Sequence, residues 1–174
     1  MIRRKSKEKY FSDLHLFLMP LYNCGTMNKS EQARAVMLEH HLNCAQSVVS
    51  TYCEEFGLDR NLGLKVAMGF GGGMARTGKT CGAVTGAYMI MGLSQRINEN
   101  NARESIERTY KLMLDFNREF MALHGSLNCK DLIKLDLAIP EQRAKAQDRH
   151  LFATVCPDLV RDAAKIMESL LATC

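Results

Sequence analysis

The chain has 174 residues, a length typical of one domain with its own core. Hydrophobic residues make up 47% and charged residues 24%, which excludes extensive disorder, and no apolar run approaches the roughly 20 residues of a membrane span. The net charge of +4 owes much to basic residues within the first ten positions, and Trp is absent, so neither nucleic-acid binding nor membrane insertion is predicted.

The first 26 residues are predicted to be an extension outside the folded domain. A basic stretch followed by apolar residues resembles the start of a secretory signal, but His15 and Pro20 interrupt it and no Ala-x-Ala cleavage site follows. Asn28, three positions before Glu31, forms a capping-box pattern that starts a helix. We therefore expect a domain over residues 27–174 and a cytoplasmic location.

The sequence predicts an all-α, single-domain bundle of about six to seven helices, because Leu, Ala and Met outnumber the β-branched Val and Ile. In the first half, helices are expected at 29–42, at 44–56 between Asn43 and Gly57, and from Asp59 to about residue 69. A Gly-rich loop over residues 69–80 then leads into a buried central helix at 82–93.

The second half is predicted to contain a long amphipathic helix at about 101–124, marked by apolar residues such as Ile106 and Tyr110 and ended by Gly125. Shorter helices are expected over 129–135 and 140–152. The last helix begins at Cys156 and carries a stripe that includes Val160 and Met167.

The seven cysteines are too dispersed for a small secreted disulfide framework. Four of them, Cys44, Cys81, Cys129 and Cys156, fall at predicted helix starts. Unpaired backbone N–H groups and the helix dipole favour a thiolate there, so we expect a lowered thiol pKa at these positions. No role is assigned to Cys24, Cys53 or Cys174.

None of the four cysteines belongs to a Cys-x-x-Cys pair, so spacing alone leaves two interpretations open. The helices could bring the four thiols together in one site, as a bundle can. Alternatively, the cysteines could be ordinary buried residues, because free Cys is among the most buried residue types.

Three segments resemble the C-GCAxxG-C-C family of redox-active proteins, a four-cysteine family related to the cysteine-bearing part of split-Soret cytochromes. They are Asn43-Cys44-Ala45-Gln46, the run Gly69-Phe70-Gly71-Gly72-Gly73-Met74, and Cys81-Gly82-Ala83-Val84-Thr85-Gly86. The resemblance implies a helical bacterial or archaeal redox protein and assigns the family's four cysteines to Cys44, Cys81, Cys129 and Cys156. It also suggests an iron–sulfur cluster. No Cys-x-x-Cys-His haem attachment motif occurs, so haem is not expected.

A competing motif overlaps the Gly-rich loop. Residues 73–80 satisfy the phosphate-loop pattern Gly-x-x-x-x-Gly-Lys-Thr, which would bind nucleotide phosphates. A phosphate loop follows a buried strand, however, and residues 64–70 make a poor strand. We therefore rank nucleotide binding last.

The expected function is an electron carrier or oxidoreductase in which Cys44, Cys81, Cys129 and Cys156 are redox groups, cofactor-binding residues and metal ligands. A [2Fe–2S] or other metal cluster is preferred, and thiol–disulfide exchange or a structural zinc site is the alternative. The redox partner is not identified by the sequence, and a homodimer is left open. His40, His41 and His124 are considered as bases or ligands and are not selected.

Overall fold

Helices form nearly all of the regular structure in residues 28–97 and 99–172, which are the residues that this computed structural model describes. They are α1 (Lys29–His40), α2 (Cys44–Tyr52), α3 (Arg60–Ala67), α4 (Gly82–Ser94), α5 (Ala102–His124), α6 (Cys129–Ile133), α7 (Pro140–Asp148), α8 (Leu151–Thr154) and α9 (Cys156–Leu171). The all-α prediction is confirmed. The predicted boundary at Met27, together with Cys24 and Cys174, lies outside the described residues.

Side-chain caps fix where the early helices begin. Asn43 accepts hydrogen bonds from the backbone N–H groups of Ala45 and Gln46, both at 3.0 Å, and the Gln46 side chain accepts the Asn43 N–H at 3.3 Å, which completes a capping box. Asp59 caps α3 by accepting the Leu62 N–H at 2.9 Å. These caps start α2 and α3 at the positions that the sequence predicts.

Two predicted helices are interrupted in the structure. The expected helix over 44–56 becomes α2 followed by a 3₁₀ turn, Cys53–Phe56, before Gly57 ends it with a φ of 78°. The expected helix over 140–152 divides into α7 and α8 because His150 has a φ of 53°, which a right-handed helix cannot contain.

The helices α2 and α4 pack at the centre with almost no side chain between their backbones. A Cβ atom built on Gly86 would lie 2.9 Å from the Val48 Cβ and 3.0 Å from the Ala45 carbonyl oxygen. Because Val48, Ala83 and Ala87 are fully buried around this contact, α4 is the buried central helix that the sequence predicts.

Two further helices cover the central pair. The helix α9 packs on both α1 and α4, and Arg34 of α1 donates a hydrogen bond to Asp158 of α9 at 3.0 Å. The helix α5 buries Leu112, Phe116 and Phe120 against the bundle, whereas Ile106 and Tyr110 lie on its exposed side. Within the described residues, no helix combines the length and the apolar character that a membrane span requires.

Replacing Gly86 with Ala is expected to lower the free energy of unfolding by about 1 to 3 kcal/mol, because the new methyl group would overpack the contact between α2 and α4. The matched control is Gly92→Ala in the same helix. No atom lies within 4 Å of a Cβ at position 92, so alanine should raise stability by up to about 1 kcal/mol through helix propensity. Chemical denaturation followed by circular dichroism measures both changes, and equal effects of the two variants would contradict the packing argument.

Candidate functional site

The four predicted site cysteines all lie at helix starts. Cys44, Cys129 and Cys156 are the first residues of α2, α6 and α9, and Cys81 is the N-cap of α4. Their exposed fractions are 8%, 2%, 6% and 4% in chain order, so all four are buried. All four are free cysteines that form no disulfide.

The structure brings these four thiols together around Cys44. The Cys44 thiol lies close enough to the thiols of Cys156 and Cys81 that both act on its pKa. Cys129 is close enough that its charge acts on Cys44, and the charge of Cys81 acts on Cys129. Cysteines from four separate helices therefore share one buried region.

A short antiparallel contact between two loops holds Cys81 beside Cys129. The Cys81 N–H donates to the Leu127 carbonyl at 2.8 Å, and the Cys129 N–H donates to the Lys79 carbonyl at 2.7 Å. Between these two bonds, Thr80 and Asn128 form an isolated β-bridge. We did not predict this bridge from the sequence, because a pairing of so few residues leaves no alternating pattern.

The Gly-rich loop packs directly against the cysteines. A Cβ atom built on Gly73 would lie 2.6 Å from the Cys129 Cβ, and one built on Gly82 would lie 3.0 Å from the Cys44 Cβ. Only glycine fits these two positions without displacing a site residue. The loop follows the 3₁₀ segment Met68–Phe70, so the strand that precedes a phosphate-binding loop is missing at this point of the described chain.

Residues 72–76 of this loop form a left-handed turn. The φ angles of Gly72, Gly73, Met74, Ala75 and Arg76 are 64°, 70°, 63°, 52° and 68°. The turn is held by backbone hydrogen bonds from Ala75 to the Gly69 carbonyl at 2.9 Å and from Arg76 to the Gly71 carbonyl at 3.2 Å. Three of these residues are not glycine, and each costs about 1 kcal/mol in this conformation.

The expected lowering of the thiol pKa is wrong for Cys44, Cys81 and Cys129, whose pKa values are raised. The Cys81 pKa is raised by the contact with the Cys44 thiol and by burial, and the backbone N–H groups of Ala83 and Val84 oppose this only in part. The Cys44 pKa is raised by its hydrogen bond with Cys156 and by burial, although its hydrogen bond with Cys81 acts to lower it. At these helix starts, burial and neighbouring sulfur outweigh the helix dipole.

The Cys129 pKa shows the same balance. Burial raises the Cys129 pKa to about 12, with further contributions from the charges of Cys81 and Asp136. In the metal-free protein, this thiol is therefore protonated at neutral pH.

A cavity of about 560 Å³ opens onto the site, and we call it the thiol cavity. It lies between the turn that joins α1 to α2, the Gly-rich loop, α7 and α8. Its wall includes Cys44, Cys129, Cys156, His41, Arg76 and Arg143. Cys81 is not part of this wall, so three of the four thiols border the cavity.

The histidines considered in the sequence analysis and the buried Cys53 are not part of the four-thiol group. His41 lines the thiol cavity. His124 packs on Phe120 with the ring centroids 4.6 Å apart, its Nε2 lies 3.3 Å from a carboxylate oxygen of Asp162, and burial lowers its pKa. Cys53 is fully buried against α3, where a Cβ on Gly63 would lie 3.1 Å from its sulfur. This packing agrees with the absence of a predicted role for Cys53.

The fit of a metal to this site rests on donor chemistry. Four cysteine sulfurs are the ligand set of structural zinc and of most iron–sulfur clusters. In the described residues, no group of three or more Cys, His, Asp or Glu side chains is already arranged to hold a metal ion. Because the thiolate is the form of cysteine that binds a metal and no such group is already arranged in that part of the chain, metal binding would require deprotonation of the thiols and a change in their side-chain directions.

Comparison with known proteins gives one family and one relative. The model of the family described as "Putative redox-active protein (C_GCAxxG_C_C)" matches residues 42–170, a range that contains all four site cysteines. An uncharacterized protein from Archaeoglobus fulgidus is 31% identical over 128 residues, which cover 69% of this chain and 85% of the relative. No solved structure matches the chain.

The raised pKa of Cys129 predicts a loss of stability in alkali. Between the ordinary thiol value of 9.0 and about 12, the unfolded chain has released the Cys129 proton and the folded protein has kept it. The free energy of unfolding of the reduced, metal-free protein should therefore fall as pH rises through this window, by up to about 1.4 kcal/mol per pH unit from this thiol alone.

Cys129→Ser removes that titration, so above about pH 9 the stability of this variant should fall less steeply than that of the parent protein when both are unfolded in urea at several pH values from about 7 to 10.5. Below pH 8 both curves should show no contribution from this group, which serves as the internal control. Parallel curves across the whole range would refute the assignment.

Proposed function

This chain belongs to the C_GCAxxG_C_C family, and we propose that it is an electron-transfer protein that binds an iron–sulfur cluster through Cys44, Cys81, Cys129 and Cys156. The observation that carries the proposal is that four buried thiols from four helix starts share one region. Four such thiolates match the ligand number of a [2Fe–2S] or [4Fe–4S] cluster. When bound, such a group supplies one-electron transfer.

The surroundings of the sulfurs favour negative charge once the thiols are deprotonated. The backbone N–H groups of Ala83 and Val84 act to lower the Cys81 pKa, so they favour the thiolate over the thiol, and such an effect is larger when the sulfur is charged. The helices α2, α4 and α9 also direct their N-termini towards the site, and their partial positive charge favours an anionic centre. Both features would tune a reduction potential.

The accessibility of the site suits electron exchange across one face. Cys44, Cys129 and Cys156 border the thiol cavity, whereas Cys81 is 2% exposed and does not line it. This arrangement limits the access of water to one side of the sulfurs and leaves that side open to a redox partner.

Thiol–disulfide exchange is the second candidate, because Cys44 contacts two other thiols. A bond from the Cys44 sulfur to that of Cys81 or Cys156 would release two protons and pass two electrons to an oxidant. Burial and the raised pKa values of Cys44 and Cys81 disfavour thiol–disulfide exchange, since attack on a disulfide requires an accessible thiolate. A zinc centre would use the same sulfurs without electron transfer.

Anaerobic purification followed by iron, sulfide and zinc analysis tests the proposal. We expect stoichiometric iron and sulfide, together with visible absorption that a reductant bleaches reversibly. Single substitutions of Cys44, Cys81, Cys129 and Cys156 by Ala should each remove most of the bound iron. Cys53→Ala is the matched control, because this cysteine is also buried but lies outside the site, and it should retain the iron.

Zinc without iron would replace the proposal with a structural site. Metal-free protein that gains a reversible disulfide between Cys44 and a neighbour, detected by peptide mass mapping after oxidation, would establish the second candidate. Loss of iron in Cys53→Ala to the same extent as in the four site variants would show that the site variants merely misfold.

A further inference from the structure

We propose that the thiol cavity binds a small organic anion, whose charged group pairs with Arg76 and Arg143 and whose apolar part lies deeper in the cavity. The cavity volume of about 560 Å³ is within the range of small-molecule sites, roughly 300–1,000 Å³. The proposal concerns binding beside the sulfurs and does not depend on which metal, if any, they hold.

The charged side chains of the cavity wall are basic, and none is acidic. Arg76 of the Gly-rich loop and Arg143 of α7 both line the cavity, and no Asp or Glu is among its lining residues. Asp136, whose charge acts on Cys129, is not part of the wall.

Some arginines of the described residues have carboxylate partners, whereas Arg76 and Arg143, like Arg60, Arg96, Arg103 and Arg149, do not; what distinguishes Arg76 and Arg143 is that both line the cavity. Arg34, Arg108, Arg118 and Arg161 each form an ion pair with Asp or Glu. Among the described residues, neither Arg76 nor Arg143 forms an ion pair with a carboxylate. Guanidinium groups recognise carboxylate, sulfonate and phosphate oxygens through paired N–H donors, so two of them at one cavity favour an anionic ligand.

Backbone strain is concentrated at the same cavity. His41, Ala75 and Arg76 line it, and their φ angles are 53°, 52° and 68°. Strain of this kind persists where the surrounding structure fixes it, and it is frequent at binding sites. At Arg76 the fixing contact is visible, because its N–H donates to the Gly71 carbonyl at 3.2 Å, and the backbone is tight enough that a Cβ built on Gly72 would lie 3.1 Å from the Arg76 Cα.

The other residues of the cavity wall indicate the chemical character of the ligand. Leu42, Met68, Leu137 and Phe152 provide apolar surface, whereas Asn43 and Gln147 add polar groups. A cavity with two cations and several apolar side chains suits a molecule with one acidic group on a hydrophobic body. An uncharged molecule of the same shape would leave both guanidinium groups without a partner.

A pair of fluorescent probes separates charge from hydrophobic contact. The anion 8-anilinonaphthalene-1-sulfonate carries a sulfonate on an apolar aromatic body, and N-phenyl-1-naphthylamine is its uncharged counterpart. We expect the anion to bind the full-length protein at one saturable site. The double variant Arg76→Gln/Arg143→Gln should raise its dissociation constant about tenfold or more, equivalent to at least about 1.4 kcal/mol, and should leave that of the neutral probe within about twofold.

Arg103→Gln is the matched control, because Arg103 is an exposed arginine of α5 that does not line the cavity. The inference is overturned if this control weakens binding of the anion as much as the double variant does. It is equally overturned if the double variant weakens binding of both probes to the same extent. It is also overturned if the anion does not bind saturably. In that case the two arginines would be candidates for contact with the acidic surface of a partner protein. Circular dichroism confirms that each variant is folded.

The anionic probe is titrated into the protein as isolated and again after iron removal. This comparison keeps the inference separate from the proposed function. Saturable, arginine-dependent binding in a protein that never contains iron would support the anion site while the cluster proposal fails. Iron binding without an arginine-dependent site would give the opposite result.

Discussion

Gly82 and Gly86 allow α4 to lie directly on α2, and the candidate site is built outward from that contact. Because both helices begin at the same end of the pair, their first residues place Cys44 and Cys81 side by side. The helix α9, packed on α4, brings Cys156 to Cys44, and the bridge between Thr80 and Asn128 brings Cys129 to Cys81. A side chain at Gly82 would press on Cys44 itself, so helix packing and sulfur placement cannot be altered separately.

Local signals were sufficient to predict where most of the helices start, although not α8, and therefore that the four cysteines lie at helix starts. Asn43 and Asp59 form their caps through atoms a few residues away, so the sequence nearby contains the whole interaction. The end of α5 at Gly125 is equally local, since its φ of 78° suits glycine. The near absence of charge between Gly82 and Leu93 likewise predicted the buried central helix.

The features that sequence reasoning missed depend on distant residues. The bridge between Thr80 and Asn128 joins two loops, and neither loop shows a strand pattern on its own. The pKa values of Cys44, Cys81 and Cys129 were predicted in the wrong direction because the helix dipole is a local effect, whereas burial and the neighbouring thiols exist only in the folded protein. The thiol cavity arises in the same way, from Arg76 and Arg143 on separate elements.

In the left-handed turn over residues 72–76, the backbone has the conformation that D-amino acids prefer. Five successive residues have a positive φ, which is the sign of φ that D-amino acids adopt without strain. A D-alanine at Ala75, introduced by chemical ligation, would adopt the observed φ of 52° without strain. The same replacement at Ala83, within the right-handed α4, would meet the steric conflict that Ala75 now bears.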